Sequence, residues 1–196
     1  MNPRNRVWIW VLGLVAVAGA YLGMTYNRLV KQEENVKLNW GNLQNAYQRR
    51  LDLTPNLVAA VKASSDYEKQ TLQQVTEARA KAMEIASGVS SPTPDNYQRQ
   101  EQVQGEMVKS INRVIAVMER YPDIKSAKNF LLLQSQLEGT ERRIKVSRSD
   151  FNAAVASYNK LVRGFPSGIA ASVFGFKTKE GFLSEAGADT APEVKF

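Results

Sequence analysis

The chain has no cysteine and no histidine in 196 residues. Without cysteine there can be no disulfide, no thiolate nucleophile and no zinc-finger site. Without histidine, catalytic triads and nearly all catalytic zinc or di-iron sites fall as well. No P-loop, dinucleotide fingerprint or nucleophile elbow is present. The carboxylates Glu33, Glu34, Glu138 and Glu141 are scattered among basic residues, whereas acid–base catalysis needs converging groups with perturbed pKa values. These absences predict a protein that is not an enzyme and that carries no cofactor and no metal.

What is present is ordinary in amount and uneven in placement. The composition is 43% hydrophobic and 23% charged, with a net charge of +7 and a pI near 9.6, fitting one folded domain plus an appendage. The basic excess lacks the Lys/Arg clusters with interleaved aromatics of a nucleic-acid face, so no nucleic-acid partner is expected.

From Val7 to Asn27 there is no charged residue, and VWIWVLGLVAVAGAYLGM is almost wholly apolar. About 20 such residues in a helix cross the ~30 Å hydrocarbon core. Trp8 and Trp10 near one end, and Tyr21 and Tyr26 near the other, suit interfacial anchors. A cleaved signal peptide is the competing reading, with Arg4 and Arg6 as its basic head. The apolar run, however, passes Ala20 without a polar stretch and leads directly into a helical pattern. The expectation is therefore an uncleaved single-pass anchor in the cytoplasmic (inner) membrane. Two flanking basic residues face three (Arg28, Lys31 and Lys37), so the charge tally decides no orientation. The basic N-terminal head favours a bundle outside the cytoplasm (periplasmic).

Beyond the anchor, apolar residues keep helical spacing. Leu29, Val36 and Leu43 with Trp40 and Tyr47 predict a helix over 28–53. Thr54-Pro55 is a good cap-and-proline start for a second, over 55–86. Pro55 equally permits one long kinked helix. Thr93-Pro94 repeats the start signal for a third helix, with Val103, Met107, Ile111, Val114 and Met118 inside and Pro122-Asp123 at its end. The fourth, about 125–163, places Phe130, Leu137, Ile144, Phe151, Tyr158 and Phe165 seven residues apart. No strand is needed. The fold class expected is all-α: an N-terminal transmembrane helix (1–27), an up-and-down four-helix bundle (28–166), and an irregular Phe/Gly-rich tail (167–196) packed on it. Two readings of the tail stand: its phenylalanines pin it to the bundle, or its last residues, Glu193-Val194-Lys195-Phe196, serve as a peptide for a strand-adding domain.

Several stretches carry a family resemblance. YNRLVKQEENVKLNWGNLQNAYQRRLDLTPNLVAAVKA, TEARAKA at 76–82, LEGTERRIKVSRSDFNAAVASYN at 137–159, and FPSGIAASVFGFK with a later APEVKF resemble the LemA family over essentially the whole chain. The resemblance implies a membrane-anchored helical bundle and no established reaction. Some members carry a lipoprotein-type cysteine where the anchor ends, a lipid attachment that this cysteine-free chain lacks. Some are encoded beside a membrane metalloprotease, which implies envelope partners, a protease among them.

Three charges disturb the apolar stripes: Arg50, Glu141 and Arg148 fall at or beside core-facing positions. Unpaired burial would be costly, so the groups should meet one another or reach water. Arg49, Asp52, Asn56, Asn152 and Asn159 are near enough in sequence to complete hydrogen bonds. The leading expectation is a structural polar layer that fixes helix register. The alternatives are arginines that snorkel, and an anion site, since two arginines to one glutamate argue against a cation.

The function expected is a non-enzymatic membrane-anchored scaffold or adaptor of the envelope whose partners are other membrane or envelope proteins. A sensor with a polar inter-helix site and a self-associating homo-oligomer are the alternatives.

Overall fold

The computed structural model describes residues 3–62, 69–88, 92–118 and 128–182, with side chains from Trp8 onward. Arg4, Arg6, the Pro122-Asp123 helix stop and the Glu193–Phe196 terminus lie outside these described residues and side chains. The fold is all-α, with no strand among the described residues. It consists of α1 (Pro3–Lys62), α2 (Lys69–Gly88), α3 (Pro94–Met118), α4 (Lys128–Arg163) and the short α5 (Ser167–Val173).

The stripes explain the packing. Leu29, Val36, Trp40, Leu43 and Tyr47 of α1 are buried, as are Phe130, Leu137, Ile144, Phe151 and Tyr158 of α4. Each helix has one apolar face to hide, and α1 and α4 hide theirs against each other, while α2 lies against α3. Chain direction alternates from one long helix to the next. Phe165, one step further along the α4 stripe, is not buried: α4 ends at Arg163, and the ring is 89% exposed.

The helix expected over 28–53 instead runs through Pro55 to Lys62, the alternative that Pro55 left open, making α1 a single helix of 60 residues, about 90 Å long. A proline inside a helix has no N–H for the carbonyl four residues back, here that of Leu51. Leu51 is fully buried, so an orphaned carbonyl there would be expensive. Arg79 of α2 supplies the missing donor, its Nε lying 3.0 Å from Leu51 O. Next door, the Thr54 hydroxyl donates to Arg50 O at 2.9 Å. Thr54 and Pro55, so good a helix start in isolation, are thus absorbed into a continuous helix by a guanidinium from another segment. Arg79→Leu should then cost about 1–2 kcal/mol, and less in a Pro55→Ala background, where the alanine's own N–H can bond Leu51 O. A thermal-unfolding double-mutant cycle on the full chain in detergent measures the difference, and additive costs would refute the pairing.

Two apolar clusters make up the core. One joins Leu51–Val61 of α1 to α2, to Met107–Met118 of α3 and to Phe130–Leu137 of α4. The other joins Val36–Tyr47, Tyr97 and Ile144–Tyr158 with Phe182 from beyond α5. Along each of α1, α3 and α4, the polar residues described next fall between the two.

Candidate functional site

Arg50 occupies that gap. It is 2% exposed, although a guanidinium is ionised at any relevant pH, so it must find its partners in the protein. One terminal nitrogen is 2.5 Å from Glu141 Oε2 on α4; the other donates to Gln104 Oε1 on α3 at 2.7 Å and lies 3.4 Å from Gln104 O. Three helices are thereby joined at one height. The Glu141 side chain is 44% exposed, so the pair has one buried and one wet end.

Arg148, two turns further along α4, does not join that pair. Its Nε donates to Tyr47 Oη at 3.0 Å, and its Nη1 lies 3.4 Å from Glu101 Oε1. The guanidinium also sits 5.1 Å from the centre of the Phe182 ring, a cation–π contact. Nor do the other polar residues considered for this layer enter it. Arg49 and Asn56 are exposed, and Asp52 accepts from Gln48 at 2.8 Å.

Asn152 and Asn159 do something else. Asn152 donates to Phe182 O at 3.1 Å and accepts from Phe182 N at 2.8 Å; Asn159 does the same with Lys179, at 2.7 and 2.9 Å. A side-chain amide carries the same donor–acceptor pair as a peptide, so each asparagine acts as one rung of a strand ladder. Seven helical residues rise about 10.5 Å and three extended residues about 10 Å, so the two rungs stay in step. Tyr158 Oη donates to Lys177 O at 2.9 Å, fastening the same segment lower down.

Two residues of the polar layer escape the sequence reading. Gln100 and Gln104 are fully buried, on the face of α3 that carries Met107, Ile111, Val114 and Met118. Extending that 4-3-4 pattern backwards lands on 104 and then 100, whereas Val103, taken as the stripe residue, is only half-buried. Gln100 Nε2 reaches Gln44 Oε1 at 3.4 Å. Gln104 Nε2 and Arg50 Nε are buried donors that make no hydrogen bond within the described chain.

Outside this floor lies an open groove between α3 and α4 of about 730 Å3. Arg50, Lys109, Arg142, Lys145 and Arg148 line it against Glu101 and Glu141, so its balance is positive. Among the described residues no cluster of acidic side chains could hold a metal ion.

Below the layer, Trp40, Tyr97, Phe151 and Phe182 pack ring against ring, with centroids 5.1–6.1 Å apart. Burial, with Glu180 nearby, pushes the Tyr97 hydroxyl up to about 12; burial also raises Tyr47, against the opposing pull of Arg148. The fold thus favours neutral Tyr97. That stability is intact below the ordinary tyrosine value of 10 and is lost as pH rises through about 12, by at most about 1.4 kcal/mol per pH unit. Tyr97 Oη has no hydrogen-bond partner within the described chain. Tyr97→Phe should therefore leave neutral-pH stability unchanged or raise it by up to about 1 kcal/mol and flatten the alkaline loss. Melting curves of both proteins across that range test this, and parallel alkaline losses would contradict it.

The interfacial aromatics fall in two groups. Trp8, Trp10 and Tyr21 are exposed on the apolar part of α1, the one stretch among the described helices long and apolar enough to cross a membrane. Tyr26 instead meets Phe174 and Phe176 edge-on, at 5.0 and 5.8 Å.

A sequence model of the LemA family matches residues 39–196. The chain is 26% identical to magnetosome protein MamQ of Magnetospirillum gryphiswaldense, over 93% of this chain and 73% of that one. Magnetosome protein MamQ 2 of Paramagnetospirillum magneticum matches at the same identity and coverage. Protein LemA of Metamycoplasma hominis is 22% identical over 71% of this chain and 60% of its own.

Proposed function

This chain belongs to the LemA family, and on that premise we propose that it is a non-enzymatic, single-pass membrane scaffold holding its helical bundle outside the cytoplasm for envelope proteins to dock on. The observation that carries the reading is the unbroken α1: its apolar N-terminal part and the core helix of the bundle are one continuous helix. A cleaved leader would have no need of that continuity, and a freely tethered domain would have a linker there. The resemblance to proteins named for the magnetosome fits a structural role.

The test has two arms. Ser90→Cys creates the chain's one thiol, and a membrane-impermeant maleimide should label it in intact cells whose outer membrane, if present, has been permeabilised. Protection until lysis would move the bundle to the cytoplasm. A photo-crosslinking residue at the exposed Val146 should give a discrete adduct with another membrane or envelope protein. Adducts only with itself would replace the scaffold by a homo-oligomer.

The positive balance of the groove favours a second reading, a sensor for an anionic group. Inorganic phosphate should then raise the melting temperature of the native chain but not that of Lys109→Gln/Arg142→Gln. An equal shift in both would discard the reading.

A further inference from the structure

We infer that α5, with Phe165 just before it, is a lipid-contact element that lies in the headgroup–acyl boundary of the bilayer crossed by α1. The inference rests on the reading of α1 as a membrane span and adds a second membrane contact to it.

Register sets the height of α5. α4 runs antiparallel to α1, pairing Glu141 with Arg50 and bringing Phe151 to Trp40. Continued downwards, it ends beside the last turns of the uncharged stretch. Tyr26 against Phe174 confirms the level, as does Lys179 Nζ, 2.9 Å from Glu33 Oε1. The turn into α5 is built firmly. Ser167 Oγ donates to Leu161 O at 2.7 Å, and Gly168 N donates to Gly164 O. Gly164 permits the close approach, since a Cβ there would lie 2.7 Å from Lys160 O.

α5 has two unlike faces. Ala170 and Ala171 are buried against the bundle, and their small side chains let the helix lie close. Ile169 and Val173, one turn apart, point away and are 58% and 68% exposed, with the bare Phe165 ring one turn earlier. In water such a row would be an uncompensated apolar surface. It stands at the level of the last turns of the uncharged stretch of α1, where Met24 and Tyr21 are exposed as well. Around it, Arg28, Lys31, Lys160, Arg163 and Lys177 are exposed, while of the acidic neighbours on α1 Glu33 is tied to Lys179 and Glu34 to Lys37. Apolar side chains facing the acyl boundary under a basic collar are the pattern of an interfacial helix on anionic lipid. Lipid is the occupant that this position favours over a protein, because the row stands where the uncharged stretch of α1 ends.

The absence of native cysteine makes the test clean. A nitroxide label is placed singly at Leu14→Cys in the span, Ile169→Cys in α5 and Val146→Cys on the exposed flank of α4. Each full-length protein is reconstituted in phosphatidylglycerol-containing vesicles, and collisions with oxygen, which partitions into lipid, are compared with those of a water-soluble nickel chelate. Leu14 and Ile169 should both favour oxygen, with several-fold fewer nickel collisions than Val146. An Ile169 label as open to nickel as Val146, while Leu14 stays in lipid, would overturn the inference and leave the span standing. Shielding of Ile169 from both reagents would overturn it in favour of a protein contact. Nickel access at Leu14 would overturn the span itself, and the inference with it.

Discussion

Asn152→Ala should cost about 3 kcal/mol and release the 176–182 segment from α4. The two bonds to Phe182 contribute about 0.5–1.5 kcal/mol each. Losing the Phe182 ring from the aromatic cluster adds about 1.5–3 kcal/mol, and neighbouring rings will recover part of it. Trypsin reports the release directly, because Lys177 and Lys179 lie within the segment and should be cut faster in the variant. Asn152→Asp keeps an acceptor for Phe182 N but sets a carboxylate against Phe182 O, and should fall in between. Gly181→Ala attacks the clamp from the other side. A Cβ there would sit 2.6 Å from Asn152 Oδ1, an atom held in place by its bond to Phe182 N. Unchanged cleavage in Asn152→Ala would mean that the other contacts, ring packing with the Asn159 and Tyr158 bonds, hold the segment without Asn152.

Glu141→Leu should destabilise the bundle by about 2–3 kcal/mol. Removing one member of a fully buried pair costs about 3–5 kcal/mol; the exposed side of Glu141 lets water reach Arg50 once the carboxylate is gone, which lowers the figure. Most of the cost is the stranded charge, so Arg50→Met/Glu141→Leu should recover much of the stability that Glu141→Leu loses. Thermal unfolding of the two variants in detergent decides the point. A double variant less stable than Glu141→Leu alone would show that Arg50 contributes chiefly through Gln104.

The helices were legible because burial imposes a period on a sequence. Leu29 to Tyr47 and Phe130 to Tyr158 announce one face each, and that face is what α1 and α4 share. What stayed hidden depends on partners distant in sequence. Nothing near Pro55 shows that Arg79 will take up the carbonyl it orphans. Asn152 and Asn159 have the seven-residue spacing of a core stripe, and their partners are backbone atoms, which leave no signature in side-chain pattern. Gln100 and Gln104 were missed because a polar residue is read as the end of a stripe, although the geometric pattern ran on through them. Of the three charges in the stripes, Arg50 and Glu141 pair directly, while Arg148 turns to Tyr47 and Glu101, a choice of rotamer and neighbour that spacing does not encode.

The unbroken α1 also gives the protein a compass bearing. Because α1 is one continuous helix from Pro3 to Lys62, rotating its apolar end about its own axis carries the groove round with it. One residue inserted between Gly13 and Gly19 would swing the bundle by about 100° relative to whatever grips the start of the helix. Seven inserted residues would return it to within about 20° of its old heading while lifting it by about 10.5 Å. A neighbouring helix that grips α1 within the bilayer would thus set the direction in which the groove faces, without touching the bundle.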